Sequence, residues 1–224
     1  MLFEHRIEEL AVGLRLDELA SQEAIFTADT GMCCVWAARQ LGTAKGRRLL
    51  GSFVHGSMAN AMPQAIGAQA ANPGRQVIAL SGDGGFAMLM GDVLTLGQHD
   101  LPVKILLFNN HSLGMVQLEM EVAGMSPFGC NLKNPNFAAL AQAAGLFGVR
   151  VEEPAQVRPA LKQAMAYPGP ALVDIVTDPN ALAMPPRATI QQAAGFALAM
   201  TKLAFGGKSD DVLDTVAANW RELL

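Results

Sequence analysis

An aspartate among glycines, followed along the chain by a pair of asparagines, is the arrangement with the clearest chemical potential. Asp83 lies in "ALSGDGGFAML", where a run of strand formers ends in glycines and an apolar, helix-like pattern begins. A glycine-rich turn between a strand and a helix typically binds phosphate through backbone N–H groups. A carboxylate there would repel phosphate unless a cation lay between the two, so the stretch predicts a bound cation.

Asn110 is the second candidate ligand, because it follows the next predicted strand. Between "GDG" (Gly82–Gly84) and "NN" (Asn109–Asn110) lie 24 residues, enough for one helix and one strand. In doubly wound sheets, ligands bind beyond the carboxyl ends of the strands, so both side chains can reach one site. A carboxylate, an amide oxygen and a main-chain carbonyl are hard donors that suit Mg²⁺, whose remaining positions typically hold water and phosphate oxygens.

The elements that must position these residues are short apolar runs alternating with longer helical patterns. The predicted strands are "AIFTAD", "RLLGSF", "RQVIALSG", "PVKILLFNN", "LFGVRVE" and "PALVDIVT". The predicted helices are Val35–Leu41, Ala59–Ala71, Phe86–Gln98, Phe137–Ala144 and Ala155–Ala166. The alternation predicts an α/β fold with a doubly wound, mainly parallel six-stranded sheet and helices on both faces. Val122–Pro135, rich in glycine, proline and asparagine, is predicted to be a long loop.

Composition defines the broad class of the protein. The chain has 224 residues, of which 51% are apolar and 16% charged, and a formal net charge of −4. Such a chain is predicted to be soluble and globular, and it has no basic run for a nucleic-acid partner. Three cysteines without metal-ligand spacing indicate neither a disulfide framework nor a zinc site and favour a cytoplasmic location. We predict a helical leader at 1–24, a domain at 25–178 and a helical C-terminal extension at 179–224.

Beyond single residues, longer stretches resemble one enzyme superfamily. "GDG" followed by "NN" is similar to the signature of thiamine diphosphate enzymes. The stretches "VWAAR", "GSFVHGSMANAMPQAIGAQA", "GDGGFAMLMGD" and "GPALVDIV" resemble the C-terminal, thiamine diphosphate-binding domain of its pyruvate oxidase, or quinone-dependent pyruvate dehydrogenase, branch. The resemblance implies the thiamine diphosphate-binding fold.

The resemblance also implies roles for individual residues. The implied Mg²⁺ ligands are Asp83, Asn110 and the carbonyl oxygen of Ser112. The residues implied to hold the diphosphate, with the ion, are Asp83, Gly84, Gly85, Asn110, Leu113, Gly114 and Met115. The residues implied at the aminopyrimidine ring are Gly56, Ser57 and Met58, with Met58 beneath the bent cofactor. That bend brings the 4′-amino group near thiazolium C2, where it can act as an intramolecular base.

The activity implied is oxidative decarboxylation of pyruvate to acetate and CO₂, with electrons passing to flavin and quinone. The alternatives are a domain of acetolactate synthase or another 2-oxoacid decarboxylase, or a non-catalytic module that binds the cofactor or dimerises. The pyrimidine and flavin domains of the family have no counterpart here, so FAD is not expected on this chain. We expect a fragment that is inactive alone, and either a homo-oligomer or a separate chain that supplies the missing domains.

Several candidate residues also have ordinary structural interpretations. Met58 could simply fill the core. His55 and His111 are candidates only because they adjoin the implied pocket, and no catalytic residue is assigned. Glu119 and Glu121 are predicted to lie on a solvated face. Residues 210–224 place Val212, Leu213, Val216, Ala217, Trp220, Leu223 and Leu224 on one helical face. That face predicts either an ordinary docking helix or weak lipid contact at the inner side of the cell membrane.

Overall fold

Six segments of the chain pair in parallel to form one sheet, as the sequence predicts. The structure is a computed structural model that describes residue 7 and residues 9–43, 46–181, 190–205, 210 and 212–215. The strands are β1 (Ile25–Ala28), β2 (Arg48–Gly51), β3 (Val77–Gly82), β4 (Lys104–Asn109), β5 (Phe147–Val151) and β6 (Ala171–Val176). Their order across the sheet is β2-β1-β3-β4-β6-β5.

Residues 210 and 212–215 are helical, and nine further α-helices lie elsewhere in the described part of the chain. They are α1 (Glu9–Leu19), α2 (Met32–Gln40), α3 (Ala61–Ala71), α4 (Asp83–Met88), α5 (Val93–Gln98), α6 (Gly114–Val122), α7 (Phe137–Ala143), α8 (Pro154–Ala166) and α9 (Ile190–Phe205). A short 3₁₀ turn, Met90–Asp92, separates α4 from α5.

Helices cover both faces of the sheet, and each face has its own core. Ile78 and Leu80 of β3 pack with α1, α2 and α8. Val77 and Ala79 of the same strand pack with α3, α4, α5 and α7. Successive residues of a strand point to opposite faces, so a strand buried on both sides must be apolar throughout. The continuous apolar runs of the sequence therefore correspond to a doubly wound sheet.

The strand order reverses between β1 and β3, and this reversal locates the expected ligand crevice. The chain leaves β1 toward α2 on one face and leaves β3 toward α4 on the other. The two connections diverge there and open a crevice at the carboxyl ends of the strands. Asp29, directly after β1, and Asp83, directly after β3, both lie at this end of the sheet.

One local prediction was wrong, and one helix was not predicted. Phe86–Gln98 is not one helix, because α4 ends at Met88 and α5 begins only at Val93. Its apolar residues do not share one buried face, since Met88, Leu89 and Met90 are all exposed. Helix α6 was not predicted at all, because its glycine-initiated start resembles a turn.

The chain divides into two compact units. Residues 1–110 and 134–177 form the first, which contains the whole sheet, and residues 111–133 and 178–224 form the second. Within the second unit, α9 packs closely on the end of α6 at Gly195. The ammonium group of Lys202 also donates a hydrogen bond to the carbonyl of Gly124, at 2.7 Å.

The C-terminal tail is described only in part. Leu213 is exposed and Thr215 is buried, whereas Val216, Ala217, Trp220, Leu223 and Leu224 of the predicted apolar face lie outside the described residues. Within the described ranges, no helix has the length and apolar character needed to cross a bilayer.

Lys104 provides a pH-dependent test of the fold. Its side chain is buried at the start of β4, where Nζ donates to the carbonyls of Tyr167 and Gly169 at 2.5 and 2.6 Å. Burial lowers the pKa of Lys104 from 10.5 to about 8. Between these values the unfolded chain binds a proton that the folded chain does not, so the free energy of unfolding should rise with pH.

We expect the Lys104→Met variant to lack this rise in the free energy of unfolding with pH. Thermal denaturation between pH 7 and pH 10.5 should show the stability difference, wild type minus variant, increasing above about pH 8. Lys162→Met, at an exposed position of α8, serves as the control and should follow the wild type. A difference that stays constant across this range would contradict the prediction.

Candidate functional site

The carboxyl end of β3 carries the predicted metal ligand. Asp83 begins α4 and is 2% exposed. Its Oδ1 accepts a hydrogen bond from the Gly84 amide at 2.8 Å, and its Oδ2 accepts one from Nδ2 of Asn134 at 2.7 Å. A carboxylate offers about four lone-pair sites, and these two hydrogen bonds use one on each oxygen.

The two asparagines that follow β4 have different environments. Asn109 is fully buried, and its Nδ2 donates to Oδ1 of Asp174 at 2.9 Å while its Oδ1 accepts from Asn134 at 2.8 Å. Asn110 is 8% exposed, one residue further along the chain. Asn109 thus belongs to the internal hydrogen-bond network, and Asn110 stays a predicted ligand.

Asp174 lies at the other end of this hydrogen-bond network, where it accepts from Asn109. It is fully buried in β6, where Oδ2 accepts hydrogen bonds from Nη1 of Arg150 at 2.7 Å and from the Phe137 amide at 3.1 Å. An internal carboxylate is stable only when it is paired and hydrogen-bonded in this way. Neither Asn134 nor Asp174 was predicted from the sequence to belong to the site.

Asp29 is a further residue that the sequence analysis did not identify. It is 2% exposed after β1, and its Oδ1 accepts a hydrogen bond from the Ala61 amide at 2.8 Å, at the start of α3. Burial raises the pKa of Asp29, and the Ala61 amide opposes that rise. One feature of the sequence could have identified Asp29: it directly follows an apolar strand, at the same edge of the sheet as Asp83.

Gly85 allows Asp29 to approach the turn after β3. A Cβ atom at position 85 would lie 2.6 Å from Oδ2 of Asp29 and 3.2 Å from the Ala59 amide nitrogen. Both contacts are shorter than normal van der Waals separation, so only glycine fits there without displacement. The predicted diphosphate-binding residue Gly85 therefore has a packing role as well.

The predicted aminopyrimidine segment lies beside the β1–α2 loop. The Ser57 carbonyl accepts hydrogen bonds from the Thr30 amide at 3.4 Å and from Nδ2 of Asn60 at 2.6 Å. Gly56 and Ser57 are exposed and Met58 is half-buried. Ala59 has φ of +59°, a conformation that is strained for residues with a side chain. Met58 thus does not lie in the core, contrary to the packing interpretation.

The remaining predicted residues belong to the second unit. The Leu113 amide donates to the Cys130 carbonyl at 2.8 Å, and the Leu132 amide donates to the His111 carbonyl at 2.8 Å. These bonds hold the turn that leads into α6, which begins at Gly114. Ser112 is buried, and its hydroxyl donates to Oε1 of Gln117 at 3.1 Å.

The prediction for the glutamate pair was half wrong. Glu119 is exposed, but Glu121 is 1% exposed and accepts a hydrogen bond from Nε2 of Gln117 at 3.1 Å. Its Oε2 has no hydrogen-bond partner among the described residues, and burial raises its pKa. Side chains two residues apart on a helix point in directions about 200° apart, so Glu119 faces solvent while Glu121 faces the interior. His55 and His111 are both exposed.

The donor set fits Mg²⁺ better than a transition metal. Within the described ranges, no three His, Cys, Asp or Glu side chains are close enough to bind a metal. The ligands predicted in the first unit are the carboxylate of Asp83 and the amide oxygen of Asn110. A single carboxylate with neutral oxygens suits Mg²⁺ that is also bound by phosphate, whereas zinc favours histidine and cysteine. At Gly82, an added Cβ would meet no atom within 4 Å, so the turn is open on that side.

Comparison with known proteins identifies the family. Residues 29–175 match the family described as "Thiamine pyrophosphate enzyme, C-terminal TPP binding domain". YdaP of Bacillus subtilis (strain 168), whose name refers to thiamine pyrophosphate, is 34% identical over 191 residues, which are 85% of this chain and 33% of YdaP.

Two relatives are named acetolactate synthase. The large subunit from Porphyra purpurea is 37% identical over 163 residues, which are 71% of this chain and 28% of that protein. Acetolactate synthase 1, chloroplastic, from Oryza sativa subsp. japonica is 35% identical over 170 residues, which are 72% of this chain and 26% of that protein. This chain spans a third or less of the length of these three relatives. The extent of the family match, over a buried acidic turn at the sheet's switch point, establishes that the chain belongs to the thiamine pyrophosphate enzymes and contains their C-terminal cofactor-binding domain.

Proposed function

We propose that this chain binds thiamine diphosphate through Mg²⁺ as part of an enzyme that decarboxylates a 2-oxoacid. The observation that carries the proposal is the buried Asp83 carboxylate, held by the Gly84 amide and by Asn134 at the sheet's switch point. A buried carboxylate in a glycine-rich turn is unfavourable beside a diphosphate unless a cation joins the two.

Each group of residues has a distinct task in this proposal. Asp83 and Asn110, with the Ser112 carbonyl, would bind Mg²⁺, and the ion would offset the repulsion between Asp83 and the diphosphate. Gly84, Gly85 and Leu113–Met115 would bind the diphosphate, partly through backbone N–H groups. Gly56–Met58 would orient the aminopyrimidine. When bound, thiamine diphosphate supplies the electron sink for decarboxylation.

Acetolactate synthase chemistry is the better-supported activity. Two of the three relatives described above are named for it, and none of the three is named a pyruvate oxidase. The oxidase alternative is supported by "GSMANAMPQA" and "GDGGFAMLMGD", which resemble that branch. Both activities begin with pyruvate and differ in the acceptor, which is a second 2-oxoacid in one and flavin and then quinone in the other.

Cofactor binding is tested by calorimetry. Thiamine diphosphate is titrated into the purified chain with Mg²⁺ and, separately, with EDTA. We expect saturable one-to-one binding with Mg²⁺ and much weaker binding with EDTA, because the diphosphate then meets Asp83 without an intervening charge. Thiamine without its diphosphate is the control ligand and should not bind detectably. Equal affinity in Mg²⁺ and in EDTA would contradict the proposed role of the ion.

We further propose that residues 1–224 do not turn over pyruvate by themselves. The segment Gly56–Met58 follows Phe53 and Val54, which are 63% and 93% exposed. This uncovered apolar surface supports a second chain, or another copy, as the cover that excludes water from the aminopyrimidine.

The turnover test uses pyruvate, Mg²⁺ and thiamine diphosphate. Acetolactate is measured colorimetrically after acid conversion to acetoin, and the oxidase route is measured as ferricyanide reduction. We expect neither acetolactate formation nor ferricyanide reduction above the level of a control that contains only the cofactor. Acetolactate formation by this chain alone would contradict the prediction and would support the synthase activity, whereas ferricyanide reduction would support the oxidase.

A further inference from the structure

We propose that Asn134 is a positioning residue for the Mg²⁺ site, holding the Asp83 carboxylate in the orientation that binds the ion. This inference rests on the proposed function. Asn134 lies in the segment between α6 and α7, 51 residues after Asp83 in the sequence. It is half-buried, and its side chain is fixed by two short hydrogen bonds.

Both protons of the Asn134 amide group are used. Nδ2 donates to Oδ2 of Asp83 at 2.7 Å and to Oδ1 of Asn109 at 2.8 Å. The bond to Asp83 has an ionised acceptor, and such bonds are stronger than neutral ones. Oδ1 of Asp83 is held separately by the Gly84 amide at 2.8 Å. The carboxylate is therefore held at both oxygens and cannot rotate without losing one of these bonds.

The opposite end of the network fixes Asn109. Nδ2 of Asn109 donates to Oδ1 of Asp174 at 2.9 Å, and Asp174 is held by Arg150 and by the Phe137 amide. Because Asn109 and Asp174 are both fully buried, neither has water as an alternative partner. Asn109 must therefore present its carbonyl oxygen, rather than its nitrogen, to Asn134.

The direction of every hydrogen bond follows from these two carboxylates. An ionised carboxylate only accepts hydrogen bonds, so each of the two amide groups must turn its nitrogen toward a carboxylate. Asp174 determines the orientation of Asn109, and Asn109 with Asp83 determines that of Asn134. Asp83 directly follows β3, whereas Asn109 and Asp174 lie in β4 and β6, and these three strands are adjacent in the sheet. The rigidity of the sheet is thereby transmitted to the candidate ligand.

Asn136, in the same segment as Asn134, has a purely structural role. Asn136 caps α7, with its Oδ1 accepting a hydrogen bond from the Ala139 amide at 2.9 Å. Within the described part of the chain, Asn136 makes no hydrogen bond to Asp83 or Asn109. Asn136→Ala therefore serves as a matched control from the same segment, with an effect limited to stability.

The test measures Mg²⁺ affinity separately from folding. MgCl₂ is titrated calorimetrically into wild type, Asn134→Ala, Asn134→Leu and Asn136→Ala, each with saturating thiamine diphosphate. Asn134→Leu keeps a similar volume without the donors. We expect both Asn134 variants to bind Mg²⁺ about 10–100-fold more weakly, the range for losing an outer-shell partner of a metal ligand. Asn136→Ala should bind Mg²⁺ as wild type does but melt at a lower temperature.

The outcomes separate this inference from the proposed function. If wild type shows Mg²⁺-dependent binding and Asn134→Ala binds the ion equally well, the positioning role is wrong and the proposed function stands. If wild type shows no Mg²⁺-dependent binding, both are wrong. If Asn136→Ala loses as much affinity as the Asn134 variants, the effect arises from the segment as a whole and the positioning role is again wrong.

Discussion

Asp83→Ala is expected to abolish Mg²⁺-dependent binding of thiamine diphosphate while the protein stays folded. The substitution removes the one carboxylate proposed as a metal ligand, and the remaining ligands are neutral oxygens. Mg²⁺ then gives up water reluctantly, because no protein charge offsets the loss of hydration. The measurement is the calorimetric titration in Mg²⁺ and in EDTA, and the two curves should coincide for the variant.

Two controls make this result specific. Asp92→Ala removes an aspartate whose side chain makes no capping hydrogen bond at the start of α5, and it should bind the cofactor as wild type does. Asp83→Asn keeps the shape of the side chain and removes its charge, so its Mg²⁺ affinity should fall as well. Circular dichroism checks that each variant is folded. Retention of Mg²⁺-dependent binding by folded Asp83→Ala would rule out the metal role of this residue.

Among the proposed substitutions, Gly195→Ala is expected to lower the free energy of unfolding the most. The added Cβ would lie 2.0 Å from the carbonyl oxygen of Val122 and 2.8 Å from its carbonyl carbon. These atoms are backbone at the end of α6, so no side-chain rotation can relieve the overlap, and α9 must move away from α6. Overpacking typically costs about 1–3 kcal/mol and occasionally more, and we expect about 3 kcal/mol here. Hydrogen exchange should show faster exchange of the α6 amides.

Gly67→Ala is the matched control for this prediction. Gly67 also lies within a helix, α3, but its position is exposed and an added Cβ would meet no atom within 4 Å. Alanine favours a helix over glycine by up to about 1 kcal/mol. Gly67→Ala should therefore stabilise the protein slightly while Gly195→Ala destabilises it. Similar stability of the two variants would show that α6 and α9 separate easily.

The architecture was predictable because its determinants are local and repetitive. Uninterrupted apolar runs lie at 77–80 in β3, 105–108 in β4 and 171–173 in β6, and such runs are typical of strands buried on both faces. Their alternation with helical patterns predicts parallel pairing. The strand order was not predicted, because it depends on which helix packs on which face, a choice made by long-range packing.

The positions of Asp83 and Asn110 directly after β3 and β4 were also predictable, and their role as metal ligands stays a prediction. The contacts of Asn134 and Asp29 at this edge of the sheet were not predictable, for two different reasons. Asn134 lies in a stretch without periodicity, so nothing local indicates that its side chain reaches Asp83. Asp29 ends β1 at the correct edge, but its partner Gly85 was interpreted only as a phosphate-binding glycine. A close approach between two residues this far apart is a property of the assembled sheet.

Glu121 was misplaced because helix α6 itself was not predicted. Both residues were predicted to lie on a solvated face. In the structure Glu119 is exposed and Glu121 is buried against its own helix partner Gln117. A charged residue type is a poor guide to exposure when a neighbouring amide can donate to it.

The hydrogen-bond network that joins Arg150 to Asp83 through Asp174, Asn109 and Asn134 restricts how this protein can evolve. Replacing Asn109 alone by aspartate would place a carboxylate beside Asp174, and replacing it by leucine would leave Asn134 without its acceptor. A tolerated change at position 109 therefore requires a compensating change at 134 or 174. In an alignment of close homologues, positions 109, 134 and 174 should vary together, and position 83 should stay aspartate wherever the other three retain their present residues.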